Sequence, residues 1–254
     1  MPIPTLIAFD LDDTLAPSKS PIDERMLAVF ARLLERTSVA VISGGNFEQF
    51  ETQLLSRLDG IDETTLERLH LLPTCGTRYE HRADGGWLTV YQEHLGPVER
   101  DAAVAALREE AERLGLWESE TWGEIIEDRG SQVTFSALGQ RAPVAAKQAW
   151  DPDGSKKNAL RAAVAERLPE LEVRSGGSTS VDITRRGIDK AYGMRKLAEQ
   201  TGIPLDDMLF VGDRLDPEGN DYPVKALGVR CRAVADWEDT AEFLEGLLSV
   251  RSPA

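Results

Sequence analysis

Cysteine is nearly absent. The chain of 254 residues has two, Cys75 and Cys231, far apart and at no metal-ligand spacing, which excludes a disulfide framework and a cysteine-based metal site. Two reduced thiols in apolar, core-like surroundings are expected. Basic residues are also short, with Lys+Arg 29 against Asp+Glu 44 and a net charge of -15. Such a surface repels nucleic acid phosphates and anionic membranes at long range, so neither is an expected partner. An anionic small substrate then needs a locally positive site. Long apolar runs are missing too, so no segment reads as spanning a bilayer. Met1-Pro2-Ile3-Pro4 leads into the first apolar run without a basic n-region, so no signal peptide is expected and the protein reads as soluble and cytoplasmic. Length is what the chain has: enough for one large domain or two small ones with a real core.

The chain is organised around Leu6 to Phe9, a short apolar run with the composition of a buried strand, followed by Asp10-Leu11-Asp12-Asp13-Thr14. In an open parallel α/β sheet, ligands bind outside the carboxyl ends of the strands. Asp10 and Asp12 then stand where they can hold one Mg2+ and leave an oxygen free to attack phosphorus. On its own the stretch also fits a polar turn. A helix is predicted from Pro21 to about Arg36, with Ser20 as its N-cap. A second strand, Val39 to Ile42, ends in Ser43-Gly44-Gly45-Asn46 and opens a helix over Phe47 to Leu58. Glycines and free N–H groups at a helix start form a phosphate seat. Leu71 to Glu80 and Trp87 to Tyr91 flank Ala83-Asp84-Gly85-Gly86 and read as a hairpin.

From about Glu93 to Arg186 the pattern changes. An Ala-, Glu- and Arg-rich helix, Pro97 to Leu114, precedes two strands, Gly123 to Asp128 and Ser131 to Ala137. A polar, Pro-containing loop, Gln148 to Ser155, leads to a helix over Lys156 to Leu168 and two more strands, Leu171 to Arg174 and Ser180 to Thr184. Helix–strand–strand twice over predicts a small antiparallel sheet with both helices on one face. The first pattern then returns. Ile188-Asp189-Lys190 opens a helix to about Thr201, and the strand Met208 to Gly212 closes on Asp213. The loop after it adds oxygen donors, Asn220 and Asp221 among them. A strand over Val229 to Val234 and a helix over Asp239 to Leu248 complete the chain. The fold class is therefore α/β, a Rossmann-like core of residues 1–92 and 187–254 with a parallel sheet, carrying an inserted α+β module of residues 93–186.

Three strand ends thus carry polar groups, Asp10 with Asp12, Ser43, and Asp213, and a helix start adds Lys190. Together they supply what phosphoryl transfer needs. Asp10 is the candidate nucleophile and Asp12 the general acid, then base. Asp13 reads as a turn residue. Asp213 holds Mg2+ with Asp10, while Ser43, Gly44 and Lys190 bind phosphoryl oxygens.

These same residues, Asp10-Leu11-Asp12-Asp13-Thr14, Ser43-Gly44, Lys190, and Gly212-Asp213 with Asn220-Asp221, resemble the four motifs of the haloacid dehalogenase superfamily of phosphohydrolases. The insert is similar to a subclass IIB cap. The resemblance to the eukaryotic-type phosphomannomutases extends through Gly44-Gly45-Asn46-Phe47-Glu48, Gly176-Gly177-Ser178-Thr179-Ser180-Val181-Asp182, Gly187-Ile188-Asp189-Lys190 and Pro217-Glu218-Gly219-Asn220-Asp221. It implies a Mg2+ site of Asp10, Asp12, Asp213, Asn220 and Asp221. It implies a cap that closes over the core and binds the sugar and its distal phosphate, and it carries a homodimer through the cap. Arg129 falls where that family places a phosphate-binding arginine, and Ser180 and Asp182 where it places sugar contacts. Lys19, Gln140 and Lys147 stand where it has arginines. Lysine is a point charge and glutamine is neutral, so the bidentate grip on a second phosphate is weakened. That shifts the expectation from a mutase toward a phosphatase acting on a sugar phosphate or similar small phosphoester. A phosphomannomutase-like isomerase, and a non-catalytic scaffold that binds a phospho-ligand, stay open as alternatives.

Overall fold

The computed structural model describes residues 3–176 and 178–249. Gly177, within one of the resemblance-bearing stretches, lies outside them. The chain divides into two compact units: the segments up to Gln92 and from Asp189 form one, and Glu93–Ile188 the other.

In chain order the first unit begins with β1 (Leu6–Phe9), α1 (Glu24–Leu34), β2 (Ser38–Ile42), α2 (Phe47–Gln53), α3 (Glu63–Leu66), β3 (Leu69–Leu72), β4 (Arg78–Ala83) and β5 (Gly86–Gln92). The second unit holds α4 (Pro97–Arg113), β6 (Ile126–Asp128), β7 (Gln132–Ser136), α5 (Val144–Trp150), α6 (Ser155–Arg167), β8 (Leu171–Ser175) and β9 (Ser180–Arg185). The chain then returns to the first unit with α7 (Lys190–Thr201), β10 (Met208–Gly212), α8 (Tyr222–Ala226), β11 (Arg230–Ala233) and α9 (Trp237–Ser249).

Among the described residues the first unit's sheet runs β11-β10-β1-β2-β3-β4-β5. It is parallel from β11 to β3 and antiparallel where β4 and β5 extend its edge. The central strands are apolar along their whole length because both faces are covered. Side chains alternate faces with period two. Ile7, Phe9, Val39, Val41, Leu209 and Val211 pack with Met26, Val29, Phe30 and Leu33 of α1 and Leu244 and Leu248 of α9. Leu6, Ala8, Ala40, Ile42, Met208 and Phe210 pack on the other side with Met194 and Leu197 of α7. The β4–β5 hairpin turns at Asp84 (φ 52) and Gly85 (φ 80). Positive φ at both central residues matches the right-handed strand twist, as an Asp-Gly pair favours.

The second unit is a separate antiparallel sheet, β6-β7-β9-β8. Ala103, Ala106 and Leu107 of α4 and Leu160 and Val164 of α6 share a core with Val133, Phe135, Val181 and Ile183 of β7 and β9. The intervening residues Gln132, Thr134, Ser136, Ser180 and Asp182 take the opposite face by the same alternation. Among the described residues no helix is long and apolar enough to cross a membrane.

Several boundaries differ from the sequence expectation. Asp23, not Ser20, caps α1: its carboxylate accepts the Arg25 N–H, while the Ser20 N–H closes a turn onto the Pro17 carbonyl. The run Leu71 to Glu80 is two strands, because Pro73 to Gly76 turn the chain between them. α2 stops at Gln53 and gives way to a 3₁₀ turn over Leu55–Arg57. Part of the predicted loop Gln148 to Ser155 is helical, in α5, and α3 and α8 had no sequence expectation. Cys75 and Cys231 form no disulfide and are half-buried, since one lies on that turn and the other on the edge strand β11.

Candidate active site

Phe9 stands level with Val41 on one side and Val211 on the other. The residues that follow, Asp10, Ile42-Ser43 and Gly212-Asp213, therefore leave the sheet side by side at its carboxyl edge. The Asp10 N–H donates to the Val211 carbonyl at 3.0 Å, which pins the start of the acidic turn to β10.

Lys190 is the centre of charge. Its ammonium is buried and lies 2.5 Å from Asp10 Oδ1 and 2.5 Å from Asp221 Oδ1. Asp189 caps α7 by accepting the Tyr192 N–H at 2.9 Å, so the helix begins where Lys190 must stand. Asp221 Oδ2 also accepts the Arg214 N–H at 3.1 Å. A Cβ on Gly212 would fall 2.3 Å from that same oxygen, so only glycine lets the end of β10 approach it. Asp213 accepts the Thr14 hydroxyl at 3.3 Å, which ties β10 to the acidic turn.

Burial pushes the Asp10 carboxyl up; Lys190 pulls it back and Asp221 pushes it further, to about 8. Burial acts to lower Lys190, but the Asp10 and Asp221 charges outweigh it and hold the ammonium above its ordinary value. Burial, then the Asp221 charge, raises Asp213. Carboxylate oxygens of Asp10, Asp213 and Asp221 lie within 4.8 Å of one another. Three carboxylates against one ammonium leave an excess of negative charge on hard oxygen donors, which is what a divalent cation such as Mg2+ takes. The donor set fits the ion.

Asp12 stands apart from that cluster. Its Oδ1 accepts the Lys19 N–H at 2.8 Å and Gln53 Nε2 at 3.1 Å, and its Oδ2 accepts Gln49 Nε2 at 2.8 Å. The Lys19 ammonium lies 3.3 Å from Oδ2 and donates to Gln49 Oε1 at 2.7 Å. Burial works to raise the Asp12 carboxyl, but the Lys19 charge and these hydrogen bonds outweigh it and lower it below the usual carboxylate range. Asp13, in the left-handed region at φ 58, accepts the Ser18 N–H at 3.0 Å, a turn residue as expected from its type.

Ser43 is buried at the end of β2, and its hydroxyl accepts the Gly45 N–H at 3.0 Å. The cap of α2 is Asn46, which accepts the Gln49 N–H. Gly44 lies between these two, while Asn220 is exposed on the loop before Asp221.

In the second unit, Ser180 meets Ser136 at 3.2 Å, Gln140 Nε2 donates to Ser136 Oγ at 2.7 Å, and Lys147 donates to the Gln140 carbonyl at 2.9 Å. Asp182 Oδ1 accepts from Gln132 at 2.9 Å and Thr134 at 2.8 Å. Arg129 is paired with Glu127 at 2.7 Å. The structure thus brings Asp10, Lys190, Asp213 and Asp221 into one cluster, Asp12 and Lys19 into another, and Ser180, Gln140 and Lys147 into a third around Ser136. Sequence reasoning missed Gln49 and Gln53. Their spacing of one helical turn just after Ser43-Gly44 was the available signal.

The family description "haloacid dehalogenase-like hydrolase" matches residues 140–223. In sequence the chain is similar to phosphomannomutase 1 of Mus musculus, 26% identical over 229 residues that cover 87% of this chain and 83% of the mouse protein. The phosphomannomutase of Saccharomyces cerevisiae is 24% identical over 257 residues, covering 97% of this chain and 95% of the yeast protein. In fold it is similar to a truncated Plasmodium falciparum IMP-nucleotidase, with TM-score 0.71 and 14% identity, over 97% of this chain and 70% of that one. It also resembles a haloacid dehalogenase-like hydrolase from Bacteroides thetaiotaomicron, with TM-score 0.63 and 17% identity, over 96% of this chain and 100% of that one. The acidic cluster on a parallel sheet, the separate antiparallel unit and these likenesses agree: the chain resembles haloacid dehalogenase-like hydrolases in fold and in the matched segment, and is similar over most of its length to phosphomannomutases.

Proposed function

We propose that the protein is a Mg2+-dependent phosphatase of a sugar phosphate or similar small phosphoester, acting through an aspartyl phosphate. The observation that carries this reading is the buried contact of Asp10 with Lys190, with Asp221 and Asp213 beside it. A carboxylate at a strand's carboxyl end, facing a fixed ammonium, is an arrangement suited to attack on phosphorus. Asp10 Oδ forms the bond to phosphorus as the ester P–O bond breaks, and Asp12, in its protonated form, gives a proton to the leaving oxygen and becomes the carboxylate that Lys19 and the Gln49 and Gln53 amides favour. In the second half, Asp12 takes a proton from water, the water oxygen attacks phosphorus, and Asp10 is released with inorganic phosphate. Lys190 and Ser43 offset and orient the phosphoryl oxygens. Asp10, Asp213 and Asp221 would hold Mg2+, with Asp12 and Asn220 as further candidate ligands. The ion when bound supplies positive charge to the transferring group.

The second unit is read as the cap, with Ser180 and Asp182 as partners for sugar hydroxyls. Phosphatase is preferred over mutase because the groups assigned to a second phosphate are neutral or already engaged. Gln140 is an amide, Lys147 donates to its carbonyl, Lys19 sits on Asp12, and Arg129 sits on Glu127. The mutase reading draws its support from the likeness to phosphomannomutases and from Arg129, Ser180 and Asp182.

Incubation with Mg2+ and mannose 1-phosphate or glucose 1-phosphate, with and without the matching 1,6-bisphosphate, separates the two. Free phosphate without hexose 6-phosphate supports the phosphatase. Hexose 6-phosphate that appears only with the bisphosphate overturns it in favour of the mutase.

A further inference from the structure

We propose that Gln49 and Gln53 are positioning residues that set the Asp12 carboxylate for proton transfer. The inference rests on the reading of Asp12 as the proton carrier. The two glutamines lie one turn apart on α2, so their amides rise from the same face of the helix. They address different oxygens of Asp12, Gln49 to Oδ2 at 2.8 Å and Gln53 to Oδ1 at 3.1 Å. A carboxylate held at both oxygens by two rigidly based donors cannot rotate about its last bond without breaking one of them.

Each amide is itself oriented. Gln49 Oε1 accepts the Lys19 ammonium at 2.7 Å, which leaves its nitrogen for Asp12. Gln53 Nε2 donates both to Asp12 and to the Ser20 carbonyl at 3.0 Å, so a flipped amide would set oxygen against two acceptors. The price is visible: Gln53 is 2% exposed, and its Oε1 is a buried oxygen with no hydrogen-bond partner among the described residues. A buried acceptor left unpaired opposes folding, and an apolar side chain of similar length would avoid that penalty. The unpaired oxygen offsets part of what the amide contributes to stability, and its nitrogen is directed to Asp12 and Ser20. The fit extends to the phosphate seat. A Cβ on Gly45 would fall 2.1 Å from Gln49 Oε1, so glycine leaves room for the Gln49 side chain to lie over the seat on its way to Asp12.

Dependence on the leaving group tests the proposal. Phenyl phosphate needs a proton on its departing oxygen far more than 4-nitrophenyl phosphate does. The rate of phosphate-ester cleavage in a single turnover with Mg2+ is measured for both esters in wild type, Gln49→Met and Gln53→Met. The proposal expects the phenyl-to-nitrophenyl rate ratio to fall about 10-fold or more in each variant, a sizeable part of the range of general acid catalysis. Equal losses on both esters, or no loss on either, overturn it. If buried Gln53→Met does not fold, half-buried Gln49→Met decides alone.

Asp12→Asn is the control. If it too leaves the ratio unchanged, the reading of Asp12 as the acid fails. If it lowers the ratio and the glutamine variants do not, only the positioning role fails. Absence of wild-type turnover on both esters counts against the phosphatase reading and the inference with it.

Discussion

The Lys190 ammonium lies 2.5 Å from a carboxylate oxygen of Asp10, and both groups are almost wholly shielded from water. With Asp221 at the same distance, a single ammonium is shared between two buried acids. Removing one partner of such a set leaves uncompensated buried charge, which costs more than the pair contributes over an apolar replacement. Lys190→Met is therefore expected to destabilise the fold by about 3–5 kcal/mol and to abolish phosphoester turnover. Urea denaturation followed by circular dichroism checks the first, and an unchanged midpoint would contradict it.

The proposed Mg2+ site of Asp10, Asp213 and Asp221 is open to a direct test. A ligand that binds only the folded state raises its stability by about 2.7 kcal/mol at a concentration 100 times its dissociation constant. Mg2+ is expected to raise the melting temperature of the wild type, and Asp213→Asn is expected to remove most of that rise. Asp216→Asn, whose carboxylate pairs with Arg214 on the exposed loop, is expected to keep it. Equal shifts in all three proteins would exclude the assigned ligands.

Gly193 and Gly76 face each other where α7 meets the turn after β3. A Cβ on Gly193 would fall 2.8 Å from the Cys75 carbonyl oxygen and 3.3 Å from Ile42 Cγ2. Helix propensity favours alanine there by about 1 kcal/mol, while overpacking costs about 1–3 kcal/mol, so Gly193→Ala is expected to be net destabilising. The larger effect falls on activity, because α7 carries Lys190 and a displacement near 1 Å costs about 100-fold in rate. A variant more stable than wild type with full turnover would show that the contact does not set the helix.

His70 gives a pH signature unrelated to catalysis. It is buried on β3, with Nδ1 2.8 Å from the Tyr79 hydroxyl and its ring stacked 5.0 Å from His81. Burial, then His81, lowers it from 6.5 to about 4. Between these values the unfolded chain binds a proton that the folded chain does not, so stability falls as pH drops from 6.5 toward 4. The contribution reaches about 3 kcal/mol when 1.36 kcal/mol is counted per unit. His70→Gln is expected to flatten this part of the pH–stability curve relative to wild type. Parallel curves from urea titrations at pH 5 and 7 would contradict the assignment.

Much of the core was legible because its signals are local. Leu6 to Phe9, Val39 to Ile42 and Met208 to Val211 are apolar throughout because they are covered on both faces, and each run leads into a polar group of the candidate site. The turn at Pro73 to Gly76 was not. Thr74 (φ 47) and Cys75 (φ 56) both take left-handed backbone without glycine, and they hold it through bonds to Gly45 and Ser43 that only the folded sheet provides. α5 was missed because none of its side chains is fully buried, which leaves only a weak apolar stripe to read. Gln49 and Gln53 look like ordinary surface residues of a helix, and only tertiary packing brings their amides to Asp12.

The central claim is that Asp10 takes the phosphoryl group. Acid quenching of the enzyme during turnover of a phosphorus-labelled aryl phosphate with Mg2+, followed by peptide mapping, tests it most directly. The account predicts hydroxylamine-labile label on the peptide that contains Asp10, and neither label nor turnover in Asp10→Asn. Turnover by Asp10→Asn near the wild-type rate, or label on a different peptide, would contradict it.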